Sequence, residues 1–220
     1  MGDGNIHFNL EQPLDADPEW FLAQDERASY RRYADNLRLI GAQTPELPWL
    51  LKNPSHTYGM AAMLEEFPDA SFVHIYRDPA ESIVSGCSLI ASMGLGEGSF
   101  SPEELGAHRL RIWGLAAERM IAARATAPGR VFVDVDYRCF TTDPLATVRD
   151  VYRMLDRPLP VEVGDAMARR VLERPRDRFA VHRYRAEDFG LSERIIRERM
   201  SGYVETYGVL SPAPAEVRRV

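Results

Sequence analysis

Lys52 is the single lysine among the 27 lysine and arginine residues of the chain, so its position is unusual for this composition. It lies in the segment Trp49–His56, where a short apolar run gives way to polar residues. An ammonium group is a compact charge that approaches one oxygen closely, and the broad planar guanidinium of arginine does not replace it there. Lys52 is therefore a candidate for catalysis, and the alternative is a solvated surface charge in an arginine-biased chain.

Arg77 and Ser85 form a second candidate group, with the chemistry of an anion clamp. The run 77–81 (RDPAE) predicts the start of a helix, because Asp78 can cap it, proline suits the first position and Glu81 can reach back. Arg77 then lies at the positive end of that helix and Ser85 on roughly the same face, so both could hold one phosphate group. The alternative is that Arg77 pairs with a surface carboxylate and Ser85 is an ordinary helix residue.

Three predicted strands position these side chains. The strands span 47–51, 71–76 and 131–135, and they are followed by Lys52, by Arg77 and, shortly after, by Tyr137. Short strands separated by helices predict an α/β fold with a mostly parallel sheet flanked by helices, in which ligands bind beyond the carboxyl ends of the strands. A single site for an anion and an aromatic ring would explain all three residues.

Helices account for most of the remaining chain. They are predicted at about 19–40, 58–67, 78–92, 101–125, 144–155, 161–173 and 192–207, with a capping box opening the fourth. We expect an irregular segment over 1–16, one α/β domain over 17–208 and a loose tail over 209–220.

Composition excludes several classes of protein. A net charge of −6 and a pI near 5.5 argue against nucleic-acid binding. Neither a membrane span nor a signal peptide is apparent, which predicts a cytoplasmic protein. Cys87 and Cys139 lack metal or redox spacing and are interpreted as ordinary buried thiols, and the histidines lack zinc-ligand spacing, so we expect no metal.

The motifs together resemble one family. The run Trp49–Leu89 (WLLKNPSHTYGMAAMLEEFPDASFVHIYRDPAESIVSGCSL) resembles the bacterial branch of the sulfotransferases, which use 3′-phosphoadenylyl sulfate (PAPS) and have a P-loop-kinase-like fold. The resemblance continues through 137–140 (YRCF) with 143–144 (DP), and through 182–184 (HRY) with 187–191 (EDFGL). It covers most of residues 17–208.

The resemblance implies a role in nucleotide binding for four residues. Arg77 and Ser85 would bind the 3′-phosphate, and Tyr137 would contact the adenine, although the family's usual acidic residue after this tyrosine is Arg138 here. Arg183 would reach a phosphate, with a surface charge as the alternative. The product nucleotide would be adenosine 3′,5′-bisphosphate (PAP).

The resemblance also implies two catalytic residues. Lys52 matches the lysine that approaches the transferring sulfuryl group, where a positioned cation stabilises developing charge. His56 lies in the same polar turn and is a candidate general base for a hydroxyl or amine of a small-molecule acceptor. The alternative for His56 is a residue at a helix start that bonds to the backbone.

One family feature is missing from the sequence. The family begins with a strand, a loop rich in glycine and serine or threonine that wraps the 5′-phosphosulfate, and a helix, whereas the only glycine-rich run here, Gly94 to Gly98, follows a helix and lacks a basic residue. We expect a sulfotransferase lacking its amino-terminal portion: a shortened gene product, a truncated gene model or a natural short relative. A lost strand would expose a sheet edge, which predicts self-association or a partner chain.

Two other functions remain to be distinguished from sulfuryl transfer. A non-catalytic or partner-dependent accessory module would keep the fold and lack the 5′-phosphosulfate loop. A P-loop nucleotide kinase is disfavoured because the chain has no phosphate loop of that type. The composition of the regions 20–33 and 93–100 predicts a partly apolar acceptor pocket.

Overall fold

The computed structural model describes residues 24–92, 101–173, 184–210 and 215–220. Predictions for 1–16, for the start of the first helix, for Gly94 to Gly98 and for Arg183 lie outside these ranges. Among the described residues the helices are α1 (Arg27–Ile40), α2 (Met60–Glu66), α3 (Pro79–Ser92), α4 (Pro102–Ala125), α5 (Tyr137–Thr142), α6 (Pro144–Met154), α7 (Val161–Glu173), α8 (Glu193–Arg199) and α9 (Ser201–Tyr207). Two 3₁₀ turns span Pro54–Thr57 and Ala186–Phe189, and the strands are β1 (Phe72–Tyr76), β2 (Phe132–Asp136) and β3 (Val217–Arg219).

The described strands form one small sheet in the order β1-β2-β3. β1 and β2 are parallel, with a register from Phe72 opposite Phe132 to Tyr76 opposite Asp136. β3 pairs antiparallel with β2, so the sheet is mixed. Helices join and cover these strands, and the predicted α/β fold class is confirmed.

Local capping chemistry sets the helix starts that matter for the site. Asp78 Oδ1 accepts a hydrogen bond from the backbone N–H of Ala80 at 2.9 Å, and Pro79 is the first residue of α3. Asp136 caps α5 by accepting from the N–H of Arg138 at 2.8 Å. Each strand that carries a candidate residue therefore leads directly into a capped helix.

The long helix α4 lies at the centre of the packing. In its first half Leu110 packs with Ile83 of α3 and Ile196 of α8. Towards its end Met120 packs with Tyr76 and Phe132 of the sheet. These two clusters hold the carboxyl ends of β1 and β2 in fixed relation to α3 and α8.

The predicted first strand is not formed. Residues 48–53 have no regular secondary structure, and Leu47, Trp49 and Leu50 are 61%, 50% and 96% exposed. An apolar run becomes a buried strand only when a neighbouring strand accepts its hydrogen bonds, and β2 and β3 are the strands that pair within the described residues. The prediction was therefore wrong for the described structure, and β1 lies at an edge with Val73 and Ile75 about half exposed (46% and 52%).

The prediction of a loose tail was wrong for the last residues. Residues 217–219 form β3, and the N–H of Val220 donates to Phe132 O at 2.9 Å. Arg219 also donates to the carbonyl oxygen of Met154 at 2.9 Å. Three residues are too few to give a strand pattern in sequence, which is why this element was not predicted.

Candidate functional site

The Arg77 corner, made of Arg77, Asp78 and Tyr137, lies at the carboxyl ends of β1 and β2. Because Tyr76 and Asp136 are register partners in parallel strands, the residues that follow them emerge side by side. The guanidinium carbon of Arg77 lies 5.1 Å from the centre of the Tyr137 ring, within the range of a cation–π contact. The structure therefore brings together the cation and the aromatic ring that the sequence assigned to one site.

The positive charge of Arg77 is not neutralised by a carboxylate within the described residues. Its Nε donates to Ser82 Oγ at 2.9 Å. The adjacent carboxylate of Asp78 is instead bound by Arg197 of α8, with Nη2 2.5 Å from Oδ2. Arg77, which is half-buried, is thus left with an unpaired charge beside the start of α3, where an anion is favoured.

Ser85 lies on the exposed face of α3 and lines a cleft of about 750 Å³ between α3 and residues 184–194. Ser82, one turn earlier, is the serine that accepts from Arg77. Arg194 also lines the cleft and is paired with Glu198 at 2.7 Å. The cleft therefore offers the Ser85 hydroxyl, and its basic side chains Arg185 and Arg194 are paired with carboxylates.

Arg138, the departure from the family pattern, turns back toward the sheet. Its Nη2 lies 2.6 Å from Asp136 Oδ2, and this carboxylate is almost fully buried. Asp136 neutralises the charge of Arg138, so Arg77 carries the positive charge of the Arg77 corner.

Lys52 is exposed and sits in what we call the Lys52 segment, residues 47–53. Within the described residues its ammonium group has no hydrogen bond or ion pair with another side chain. The segment ends at Asn53, whose side-chain oxygen accepts from the N–H of Ser55 at 2.8 Å and opens the 3₁₀ turn Pro54–Thr57. Lys52 is thus placed directly before a defined turn, on a backbone without regular structure.

His56 is held by aromatic residues of α1. The Tyr30 hydroxyl lies 3.0 Å from His56 Nδ1, and the Tyr33 ring centre lies 5.6 Å from that of His56. Burial, followed by the negative charge of Glu26, raises the pKa of the Tyr30 hydroxyl. Nε2, on the far side of the imidazole, has no contact with solvent. The tyrosines were predicted only as part of a helical region, since no sequence signal pairs Tyr30 with His56.

Gly59 lets the Tyr30 ring approach the turn that carries His56. A Cβ added at Gly59 would lie 2.3 Å from Tyr30 Cε2 and 2.8 Å from its hydroxyl oxygen. The hydroxyl of Tyr58 anchors the same turn to α4 by donating to Ile112 O at 2.6 Å. His56 therefore sits on a well-packed turn even though Lys52 precedes it on an open segment.

A buried ionic network joins β2 to α4 and α9, and it was not predicted. Asp134, 2% exposed, accepts from both terminal nitrogens of Arg124 at 2.8 and 2.9 Å. Burial works to raise the pKa of Asp134, but the His74 imidazole, whose Nδ1 lies 3.4 Å from Asp134 Oδ1, and the hydrogen bonds from Arg124 outweigh it and hold the pKa below its ordinary value. Arg124 also donates to the Tyr207 hydroxyl at 2.8 Å. The sequence signal for this network was Asp134, the single aspartate in the apolar run 131–135.

Other expectations can be compared with the described residues. Cys87 is buried, which raises the pKa of its thiol to about 11, and Cys139 is half-buried. No group of three or more potential metal-binding side chains occurs in the described ranges. Each helix there is too short or too polar to cross a membrane.

Comparison with known proteins shows which family the chain resembles. The sequence model of the sulfotransferase family matches residues 5–161. The crystal structure of sulfotransferase STF1 from Mycobacterium tuberculosis H37Rv matches with a TM-score of 0.71 and 34% identity, over 84% of this chain and 47% of that chain. Sulfotransferase STF9 from Mycobacterium avium matches with a TM-score of 0.79 and 26% identity, over 90% of this chain and 51% of that chain.

A shorter match occurs at the level of sequence. Thirty residues are 53% identical to the omega-hydroxy-beta-dihydromenaquinone-9 sulfotransferase Stf3 of Mycobacterium bovis and of Mycobacterium tuberculosis, which is 14% of this chain and 8% of that protein. The chain spans about half the length of the solved sulfotransferases that it matches. The family model covers well over half of the chain, and the resemblance drawn from its motifs is confirmed at this level: the chain belongs to the sulfotransferase family.

Proposed function

We propose that this chain binds the adenosine 3′,5′-bisphosphate part of PAPS and takes part in transferring a sulfuryl group to a hydroxyl or amine of a small-molecule acceptor. The observation that carries the proposal is the Arg77 guanidinium, which pairs with no carboxylate of the described residues and lies beside the Tyr137 ring at the ends of two parallel strands. A phosphate needs a cation free of carboxylates, and an adenine needs an aromatic face. Arg77 and Tyr137 meet both requirements.

The residues of the corner have distinct roles in this proposal. Arg77 would bind the 3′-phosphate with its terminal nitrogens, while Ser82 keeps its Nε in place. Ser85 would add a hydroxyl from the cleft and Tyr137 would contact the adenine. Arg197 pairs with the Asp78 carboxylate, which would lower repulsion between that carboxylate and a bound phosphate. Arg183 remains a proposed phosphate ligand outside the described residues.

Bound PAPS would supply the sulfuryl group: the sulfur–oxygen bond to the 5′-phosphate breaks, its electron pair stays on the phosphate, and a bond from sulfur to the acceptor oxygen or nitrogen forms as the acceptor loses a proton. Lys52 would stabilise the negative charge that moves onto the leaving oxygen. Its exposed ammonium is free to do so, because no described side chain neutralises it. The name of Stf3 specifies an omega-hydroxy compound, which supports a hydroxyl as the group that receives the sulfuryl.

A second candidate function is nucleotide binding without independent transfer, in an accessory or partner-dependent module. The exposure of the Lys52 segment favours it: Leu50 is 96% exposed, as expected of a surface that a further polypeptide covers. A second copy of this chain or a different chain would then complete the transfer side. The two functions share the Arg77 corner and differ only in where the remaining groups come from.

A transfer assay with sulfur-labelled PAPS and panels of hydroxyl and amine acceptors tests the proposal. We expect Lys52→Ala to lower transfer by about 10²-fold or more and to leave PAP affinity within about twofold. Arg27→Ala, which removes an exposed arginine paired with Asp25, is the control and should leave transfer unchanged. Full activity of Lys52→Ala would refute its catalytic role. PAP binding without transfer would select the second candidate.

A further inference from the structure

Tyr30 and His56 form a hydrogen-bonded pair whose direction sets the tautomer of the imidazole. Tyr30 is completely buried, and its hydroxyl lies 3.0 Å from His56 Nδ1. Among the described residues, His56 is the hydrogen-bond partner of that hydroxyl. A buried hydroxyl whose proton finds no acceptor is costly, whereas an unused lone pair on its oxygen is tolerated. Pointing the Tyr30 proton to Nδ1 satisfies the hydroxyl, and it leaves the imidazole proton on buried Nε2, where an oxygen of a bound ligand would have to accept it.

The protonation state of Tyr30 supports this direction. Burial and the nearby charge of Glu26 raise the pKa of the hydroxyl, so it keeps its proton across the physiological range. The ring cannot turn away easily, because it lies against the backbone of Gly59, where even a Cβ would overlap it at 2.3 Å. The donor is both protonated and fixed in place.

A neutral imidazole that accepts a hydrogen bond at Nδ1 carries its own proton on Nε2. We propose that Tyr30 is a positioning residue that fixes neutral His56 as the Nε2–H tautomer, so that His56 donates a hydrogen bond to an anionic oxygen of the bound donor instead of acting as the general base. The proposal rests on the proposed function for its substrate and on the Tyr30–His56 geometry for its tautomer.

This assignment changes the proton path while the reaction stays balanced. The sulfur–oxygen bond still breaks toward the 5′-phosphate and the new bond still forms at the acceptor, but the acceptor's proton passes to water and His56 keeps its Nε2 proton. A loose transition state needs little help from a base, because charge moves mainly onto the leaving oxygen. Nε2 is shielded from solvent in the structure, so contact with a ligand requires local opening around it.

Nuclear magnetic resonance of the full-length chain labelled with ¹⁵N-histidine tests the tautomer without any need for activity. His56 signals are assigned by their loss in His56→Gln, at about pH 8.5, where an ordinary imidazole is neutral. We expect an unprotonated Nδ1 and a protonated Nε2. Tyr30→Phe should shift His56 toward a mixture of tautomers, while Tyr33→Phe, which keeps a ring beside His56, should leave it unchanged. A protonated Nδ1 in the wild type, or no change in Tyr30→Phe, would overturn the proposal.

Two further measurements separate this proposal from the proposed function. Adding PAPS should shift the Nε2 proton signal, and PAPS that binds without moving it would overturn the contact with the donor. In transfer assays, His56→Gln, whose amide can donate but cannot take up a proton, should keep activity within about tenfold, whereas His56→Ala should lose about 10²-fold. Equal losses in both variants would favour the base. Absence of PAPS binding by calorimetry would refute the proposed function and the donor contact, and the tautomer result would stand by itself.

Discussion

The Arg77 corner and the Lys52 segment carry the two cations of the candidate site, and they are held very differently. Arg77 follows β1, contacts Tyr137 beyond β2 and is flanked by Asp78, which α8 binds through Arg197. Lys52 follows a segment without regular structure whose apolar side chains are exposed. Both were predicted to lie at the end of a strand, but in the structure only Arg77 follows one.

This difference shows that the sheet makes one part of the site rigid. The register of the sheet fixes the position of a side chain at the end of a paired strand, as it does for Arg77 and Tyr137. A side chain at the end of an unpaired segment has no such constraint, whatever its chemistry. Nucleotide binding should therefore be a property of the fold described here, while placement of Lys52 depends on further contacts.

The largest effect is expected from the buried pair of Asp134 in β2 and Arg124 in α4. Asp134→Ala leaves Arg124, whose side chain is 11% exposed, as a buried charge without its carboxylate partner. We expect the free energy of unfolding to fall by about 3–5 kcal/mol, because removing one member of a buried pair leaves the other uncompensated. Urea denaturation followed by circular dichroism measures this loss.

A surface pair and the pH dependence provide controls for Asp134. Asp150→Ala removes a carboxylate that is 45% exposed and pairs with Arg153, and should cost less than about 1 kcal/mol. Because the pKa of Asp134 is lowered from 3.8, its contribution to stability is present above that value and is lost as the pH falls toward the folded pKa. Asp134→Ala should flatten this acid limb. Equal losses in the two variants would show that the network does not support the sheet.

A smaller loss is expected at the turn that carries His56. Gly59→Ala forces a Cβ to within 2.3 Å of the Tyr30 ring, and such overpacking typically costs about 1–3 kcal/mol. Gly202→Ala in α9 is the matched control, since its Cβ meets nothing within 4 Å and should stabilise the helix by up to about 1 kcal/mol. Equal stability of both variants in thermal unfolding would mean that Tyr30 does not pack on the turn. The turn that carries His56 would then be no better packed than the Lys52 segment.

The smallest effect is expected in the Lys52 segment. Leu50→Ser should change the free energy of unfolding by no more than about 0.5 kcal/mol, because the side chain is 96% exposed. Leu110→Ala, at a position only 7% exposed, should cost about 2–5 kcal/mol in the same urea titration. A loss near that of Leu110→Ala would mean that the segment is packed in solution and that the two regions are alike.

Local signals in the sequence predicted much of the fold. Ser101 and Glu104 form the predicted capping box, with the backbone N–H of each residue donating to the side chain of the other at 2.7 and 3.2 Å. The start of α3 follows Asp78 as its Asp-Pro opening predicted, and α6 begins at Pro144 as predicted, with Asp143 as its cap. These elements were predictable because their causes lie within four residues of each helix start.

Features that depend on distant residues were not predicted. The run 47–51 has strand composition, but a strand also needs a partner, and sequence alone does not show one. Tyr30 and His56 are 26 positions apart, and their contact depends on how α1 crosses the turn. The Asp134–Arg124 pair likewise joins β2 to α4. The aspartate in the apolar strand is therefore explained by an arginine of α4, which the sequence around Asp134 does not reveal.

Binding of adenosine 3′,5′-bisphosphate to wild type and Arg77→Ala, measured by isothermal titration calorimetry, tests the central claim most directly. We predict binding by the wild type, and a loss of about 30-fold or more in Arg77→Ala, because a charge-assisted hydrogen bond contributes about 2 kcal/mol or more. Arg153→Ala, which removes an arginine that is 67% exposed, should leave the affinity unchanged. Wild-type protein that does not bind the nucleotide, or Arg77→Ala that binds it equally well, would contradict the account.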